Sequence, residues 1–300
     1  MKIIYGVNKI KKFKSPVVAL GVFDGVHRGH KEVLKAALKK ARKIKGTSIA
    51  VTFWPHPQAE GSLYSLEHRL RLIAELGIDL CVVINFSPSF SRISASDFVK
   101  GILARKISPE YIYVGEDFKF GRGARGSFSL LKDLGRNYGF KVAGFRIIKY
   151  KGRPISSTLI RGMVKRGAIK EAGRLLGRPV SVLGTVKRGT ALGRILGFPT
   201  ANINPHHEVI PPEGVYAVRI ILGKDKLKGA CYIGKRPTLN LPDKKTGVEV
   251  YILNFNKNIY GKYLEIQFVK KIRRDKRFPS LSALKSQIQK DIISARKILF

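Results

Sequence analysis

The segment Gly21-Val22-Phe23-Asp24-Gly25-Val26-His27-Arg28-Gly29-His30 decides the fold of the first half of this chain. It follows an apolar run at residues 16–20 and precedes a helical pattern at residues 31–44. These patterns predict a strand that passes through a glycine-rich turn into a helix. The free N–H groups and the macrodipole at a helix N-terminus attract anions, so the segment suits a nucleotide phosphate.

The glycines and histidines of this segment strengthen that interpretation. Gly25 and Gly29 allow the backbone to approach a ligand closely. His27 and His30 can donate hydrogen bonds to charge that develops on a phosphorus centre. Two surface histidines, or part of a metal site, are the alternatives for so short a motif.

His27-x-Gly29-His30 resembles the HxGH signature of the nucleotidyltransferase superfamily, and the longer string resembles the bacterial FAD synthetases within it. The resemblance implies a Rossmann-like domain that transfers the adenylyl group of ATP to FMN. It implies that ATP and its phosphates contact Gly21, Phe23, Asp24, Gly25 and Gly29.

Length and charge limit the classes of protein to which the chain can belong. Its 300 residues suggest two domains, and no apolar run approaches the ~20 residues that span a membrane. No signal peptide is evident, so a cytoplasmic location is expected. The net charge of +38 favours polyanions, but the basic residues are spread along the chain without a base-reading module, so we expect only incidental, low-specificity binding. The pattern specifies no oligomeric state.

Strand-like and helix-like segments alternate in the domain predicted over residues 1–178. This alternation predicts an α/β domain with a parallel sheet that binds ligands at the carboxyl ends of its strands. The predicted strands are 17–22, 48–53, 79–84, 111–114 and 140–147, and the predicted helices are 28–44, 66–76, 96–104, 128–138, 157–165 and 169–176.

Residues 179–300 contain β-rich segments separated by Gly, Pro and Asn turns, and this pattern predicts a compact antiparallel β-barrel. Its predicted strands are 182–186, 214–222, 228–233, 247–255 and 263–269. A terminal amphipathic helix over residues 281–299, capped by Ser280, is expected to pack on the barrel.

Three further strings of the first domain match the nucleotidyltransferase resemblance. The resemblance places the flavin beside the residues 52–57 string, at Phe53, Pro55 and His56, and beside the 114–121 string, at Asp117 and Phe118. The aromatic side chains of the second string suit either isoalloxazine stacking or a core.

The string at residues 155–161 supplies hydroxyls at a helix N-terminus. These hydroxyls suit either an ordinary helix cap or the binding of triphosphate oxygens by Ser156, Ser157 and Thr158. Arg161 follows one turn later and could neutralise phosphate charge.

The strings at residues 184–189 and 193–202 resemble riboflavin kinases, and the match continues through Ile233-Gly234-x-x-Pro237-Thr238 and beyond. By composition alone they could be a cluster of β-turns. The resemblance implies an ATP phosphate loop at Gly189, Gly193, Arg194, Gly197, Pro199 and Thr200. Thr200 and Asn202 would supply the hard oxygen ligands that Mg²⁺ prefers.

Glu249 lies in a predicted strand, where a surface-facing glutamate is the plainer interpretation. The resemblance instead makes Glu249 the general base of the kinase and places Arg273 and Phe278 at the flavin. The resemblance covers nearly the whole chain and implies a bifunctional enzyme that phosphorylates riboflavin to FMN and then adenylylates FMN to FAD with release of pyrophosphate. His27, His30, Arg161 and Mg²⁺ would stabilise charge in the second step. A chain active in one step only, and a nucleic-acid-binding protein on the same scaffold, are the rival hypotheses.

Overall fold

The computed structural model describes residues 1–57, 62–189, 192–234 and 246–300, which form two compact units. The first unit contains Met1–Ser62 and Leu66–Ser157, and the second contains Leu63–Ser65 and Thr158–Phe300. The assignment of the two reactions to residues 1–178 and 179–300 stays a prediction. Pro237 and Thr238 lie outside the described residues.

In the described part of the first unit, a six-stranded parallel sheet has the strand order β1-β4-β3-β2-β5-β6. Its strands are β1 (Lys2–Tyr5), β2 (Pro16–Leu20), β3 (Thr47–Trp54), β4 (Leu80–Asn85), β5 (Tyr111–Gly115) and β6 (Lys141–Phe145). The helices are α1 (Arg28–Lys43), α2 (Leu66–Glu75), α3 (Pro88–Ser91), α4 (Ala95–Asp97), which continues into a π-helical segment Phe98–Ile107, and α5 (Phe128–Asn137). A short hairpin of β7 (Lys149–Tyr150) and β8 (Arg153–Pro154) follows.

The sheet forms because its central strands are apolar on both faces. Every residue of β2 is buried, as a parallel strand covered by helices requires. The strand order reverses at β2, whose neighbours are β3 on one side and β5 on the other. Open sheets of this kind leave a crevice outside the carboxyl ends of the strands at such a reversal. The residues 21–30 turn follows β2 at that crevice.

The parallel α/β sheet predicted from the sequence is confirmed, with differences at the ends of elements. β1 was not predicted, because four residues with three exposed carry too little pattern. β2 ends at Leu20 rather than Val22, since Phe23 adopts a left-handed conformation with φ 54° that a strand cannot contain.

The described part of the second unit contains a closed barrel in the order β10-β13-β12-β11-β14-β9, with antiparallel pairing throughout. Its strands are β9 (Ser181–Lys187), β10 (Thr200–Asn204), β11 (Gly214–Leu222), β12 (Asp225–Gly234), β13 (Gly247–Ile252) and β14 (Tyr263–Arg273). The helices are α6 (Ser157–Lys165), whose first residue belongs to the first unit, α7 (Ile169–Leu176), α8 (Leu192–Ile195) and α9 (Leu281–Leu299).

The predicted barrel and its terminal helix are confirmed. The Ser280 hydroxyl accepts a hydrogen bond from the Ala283 N–H and caps α9. Ala295 and Leu299 pack on Ala217 of β11 and Ala230 of β12. β10 was not expected from the sequence, and it completes the barrel between β9 and β13. In the described residues, no helix is both long and apolar enough to cross a membrane.

A buried carboxylate organises one end of the second unit. Glu208 accepts hydrogen bonds on Oε1 from the Ser65 N–H (2.9 Å) and hydroxyl (2.7 Å), and on Oε2 from the Leu183 N–H (2.9 Å). The short segment Leu63–Ser65 therefore joins the second unit, although the chain on both sides of it belongs to the first.

We expect Glu208→Ala to lower the free energy of unfolding of the second unit by about 2–4 kcal/mol, because three buried donors lose their acceptor. Hydrogen exchange of the β11 and β12 amides measures this free energy. Ser294→Ala is the control, because the Ser294 hydroxyl donates to the Lys290 carbonyl on an exposed face, and it should change the value by less than about 0.5 kcal/mol. Equal exchange protection in the two variants would contradict the role of Glu208.

Candidate functional site

The turn after β2 has an unusual backbone. Phe23, Gly25 and Val26 have φ values of 54°, 78° and 38°. A positive φ is costly for a β-branched residue such as Val26, so the surroundings must hold this conformation. The glycine at 25 meets the requirement without that cost.

The two motif histidines form one face of this turn. His27 is the N-cap of α1, and its Nδ1 accepts a hydrogen bond from the His30 N–H at 3.4 Å. An accepting Nδ1 leaves the proton of a neutral imidazole on Nε2, which can donate. The two rings stack with centroids 3.6 Å apart, and Phe23 packs edge-on against His30 at 5.4 Å. The structure thus brings His27 and His30 together as the sequence motif predicts.

Asp24 lies under the turn with only 1% of its surface exposed. Its carboxylate Oδ2 is 3.9 Å from His56 Nε2, and its backbone carbonyl accepts a hydrogen bond from the Ser157 hydroxyl at 2.8 Å. His56 follows β3, after a cis peptide bond between Trp54 and Pro55. His56 and Ser157, which are far from residues 21–30 in sequence, therefore both lie beside Asp24 within the first unit.

The other predicted residues of this site have separate environments. Gly21 and Gly29 flank the rings of Phe23 and His27, and a side chain at either position would crowd the ring. Ser156 immediately precedes α6 and is half-buried, whereas Thr158 and Arg161 lie on α6 in the second unit.

Aromatic side chains line the core beside the carboxyl ends of β3 and β4. Phe53 is buried, with its ring centroid 6.1–6.3 Å from those of Phe86, Phe90 and Phe98. Phe118 is half-buried and stacks on Phe120, while Asp117 is exposed. Sequence reasoning did not single out Phe86 and Phe90, because they lie outside every motif.

A polar row crosses the barrel of the second unit. Asn202 of β10 lies opposite Lys187 of β9 and Glu249 of β13, and Glu249 lies opposite Tyr232 of β12. Residues directly opposite in an antiparallel sheet share a face, so these four side chains form one row. Burial and the carboxylates of Asp275, Glu249 and Glu213 raise the pKa of the Tyr232 phenol, which stays protonated. Sequence reasoning missed Tyr232, since only strand register places it beside Glu249.

Two glycines that precede β10, Gly189 and Gly193, lie close to this part of the barrel. A Cβ on Gly189 would lie 2.0 Å from Asn202 Nδ2, and a Cβ on Gly193 would lie 2.5 Å from the Phe198 carbonyl oxygen. The Thr200 hydroxyl donates to Glu249 Oε2 at 3.2 Å. The glycines are therefore required because the loop backbone lies against Thr200 and Asn202.

The remaining predicted kinase residues lie around this loop and at the end of β14. Arg194 and Pro199 are exposed, and Gly197 has a positive φ of 89°. Arg273 is held by an ion pair with the buried carboxylate of Asp291 (Nη2 to Oδ2, 2.9 Å), and its guanidinium lies 5.5 Å from the Phe278 ring centroid. Flavin contact by Arg273 and Phe278 stays a prediction.

Thr200, Asn202 and Glu249 fit a hard divalent cation by the chemistry of their donors. Their side chains offer hydroxyl, amide and carboxylate oxygens, which suit Mg²⁺ and not a soft metal. No group of three or more His, Cys, Asp or Glu side chains among the described residues could hold a metal alone.

Comparison with known proteins identifies relatives of both units. Residues 9–159 match the family model of FAD synthetases, and residues 176–299 match that of riboflavin kinases. The bifunctional riboflavin kinase/FMN adenylyltransferases of Buchnera aphidicola subsp. Schizaphis graminum and Escherichia coli K12 are 38% and 35% identical to this chain. Each alignment covers 99% of this chain and 97–98% of the relative. A crystal structure named as a macrolide-efflux protein from Streptococcus pneumoniae has a TM-score of 0.83 at 28% identity and covers 99% of both chains.

Proposed function

As this chain belongs to the bifunctional riboflavin kinase/FMN adenylyltransferase family, we propose that the turn after β2 adenylylates FMN and that the polar row of the barrel phosphorylates riboflavin. The observation that carries this assignment is that the histidine pair of the first motif, His27 and His30, stacks within the first unit, while Thr200 and Glu249 are hydrogen-bonded within the second. The efflux named for the S. pneumoniae structure is not carried over, because both family models and the curated relatives name flavin reactions.

In the adenylylation reaction, the phosphate of FMN attacks the α-phosphorus of ATP and pyrophosphate leaves. The protein needs no nucleophile, so its contribution is positioning and charge stabilisation. His27 donates from Nε2, and the N–H groups at the start of α1 face the same anion. Ser156 and Ser157 of the first unit are proposed to hold the triphosphate, and the phosphate contacts of Thr158 and Arg161 stay predictions. The half-buried rings of Phe86, Phe90 and Phe118 offer the flavin an apolar surface.

In the phosphorylation reaction, the terminal phosphoryl group of ATP passes to the ribityl hydroxyl of riboflavin. Glu249 is proposed as the general base that accepts the hydroxyl proton, and the Thr200 hydroxyl fixes the Glu249 carboxylate at 3.2 Å. Thr200 and Asn202 would hold Mg²⁺, which neutralises phosphate charge when it is bound. Gly189 and Gly193 lie against the same residues and are proposed to present backbone N–H groups to the phosphates.

We expect His30→Ala to lower the rate of FMN adenylylation by roughly 10²–10³, because a donor to the developing charge is lost. Riboflavin phosphorylation by the same chain should be unchanged, since Glu249 and Thr200 lie in the other unit. Chromatographic separation of riboflavin, FMN and FAD measures both rates in one assay. Lys35→Ala, at an exposed position further along α1, is the control and should stay within about threefold of the parent. Parent-like FAD formation by His30→Ala would rule out this site.

Glu249→Gln should show the reciprocal result. Loss of the general base is expected to lower FMN production from riboflavin by about 10²–10⁴, while adenylylation of supplied FMN continues. Asp225→Asn, at an exposed position of β12, is the matched control. A kinase rate equal to that of the parent would contradict the role of Glu249, and loss of both reactions in a folded variant would contradict the proposal that the two reactions use separate sites.

The charge of +38 supports a second, incidental property, the binding of RNA at low salt. Binding of this origin depends on counterion release, so it should collapse as salt rises and should discriminate little between sequences. Competition between unrelated RNAs at near-physiological salt measures that discrimination. A preference of about a hundredfold, which corresponds to ~2.7 kcal/mol, would instead indicate a specific nucleic-acid function.

A further inference from the structure

Arg69 of α2 is the largest fully buried side chain among the described residues, with none of its surface exposed. A single nitrogen of this side chain, Nη1, donates hydrogen bonds to the Val22 carbonyl (2.9 Å) and the Phe53 carbonyl (3.1 Å). The Thr52 hydroxyl lies 3.2 Å from the same nitrogen and itself donates to the Val22 carbonyl at 2.7 Å. One guanidinium therefore ties the end of β3 to the backbone that leaves β2.

Both tied carbonyls immediately precede segments of the adenylylation site. Val22 precedes Phe23, where the left-handed conformation of the turn begins. Phe53 precedes the Trp54-Pro55-His56 segment, whose imidazole reaches toward Asp24. A shift of either carbonyl would move one of these segments relative to the other.

Stability alone does not favour an arginine at this position. Burial lowers the pKa of Arg69, although the nearby Asp24 carboxylate opposes that shift, so the charge is held at a cost in desolvation. Its Nε and Nη2 are buried and have no hydrogen-bond partner within residues 1–57, 62–189, 192–234 and 246–300. Buried donors without a partner destabilise a fold, and apolar residues of similar volume often serve as well or better in such places. The hydrogen bonds to Val22 and Phe53 are what an apolar residue could not supply.

We propose that Arg69 is a positioning residue for adenylyl transfer, which sets the histidine turn and the His56 segment at the separation that the reaction requires. It touches neither substrate and acts through the carbonyls of Val22 and Phe53. The role rests on the proposed location of adenylyl transfer at this turn. Misplacement of reacting groups by about 1 Å can lower a rate by ~10²-fold, so a small movement of the two segments would be sufficient.

The test compares Arg69→Gln and Arg69→Lys with Arg71→Gln, a control at an exposed position of the same helix. Steady-state kinetics give kcat and KM for FMN and ATP, expressed per folded chain, with the folded fraction taken from near-UV circular dichroism at the assay temperature. Riboflavin phosphorylation by the same chains is the internal standard for concentration.

For Arg69→Gln we expect kcat of adenylylation to fall on the order of 10²-fold, while both KM values stay within about threefold. Arg69→Lys, which keeps the charge and a donor, should recover part of the rate, and Arg71→Gln should match the parent. A kcat of Arg69→Gln within about threefold of the parent per folded chain would overturn the proposal. If Arg69→Gln does not fold, Arg69→Lys decides by the same two criteria, a lowered or an unchanged kcat.

His30→Ala, assayed in parallel, separates this proposal from the one on which it rests. A low rate for His30→Ala with a parent-like rate for Arg69→Gln would contradict the role of Arg69 only. Parent-like rates for both variants would contradict the location of the reaction as well.

Discussion

The hydrogen bonds of Arg69 to the carbonyls of Val22 and Phe53 are the constraint on which the first site depends. A parallel sheet brings the ends of β2 and β3 to one edge, but it does not define the path of the chain beyond them. The chain that leaves β2 has positive φ at Phe23 and Val26, a backbone conformation that residues other than glycine rarely adopt. Contacts to Val22 and Asp24 from distant parts of the first unit hold that path in place.

The second unit also brings polar side chains together, but it does so through the register of its strands. In an antiparallel barrel, residues on neighbouring strands that lie opposite each other share a face, so register alone aligns Lys187, Asn202, Glu249 and Tyr232. Glycine at 189 then allows the preceding loop to lie on Asn202. The first site is thus built from loops that follow parallel strands, and the second from the surface of the barrel itself.

The elements that were predicted correctly from the sequence are those that local interactions determine. The strand–turn–helix unit around residues 21–30 and the capped helix α9 were both predictable, because turn glycines, a cap and apolar periodicity lie within a few residues of each other. β10 was missed because Thr200–Asn204 alternates too little to mark a strand, and its pairing with β9 and β13 is non-local. Arg69 and Tyr232 were missed for the same reason, since a charged residue on a helix and a tyrosine on a strand gain their significance only from partners far away in sequence.

The central claim is that the two reactions use separate sites, one at the His27–His30 turn and one at the polar row of the barrel, and complementation between two inactive chains tests it most directly. Equal amounts of the His30→Ala and Glu249→Gln chains are mixed with riboflavin, ATP and Mg²⁺, and the flavins are resolved over time. The account predicts that the mixture forms FAD after a lag in which free FMN accumulates, although neither chain alone converts riboflavin to FAD at an appreciable rate. A mixture that forms no more FAD than the two chains assayed separately, with both chains folded, would contradict the account.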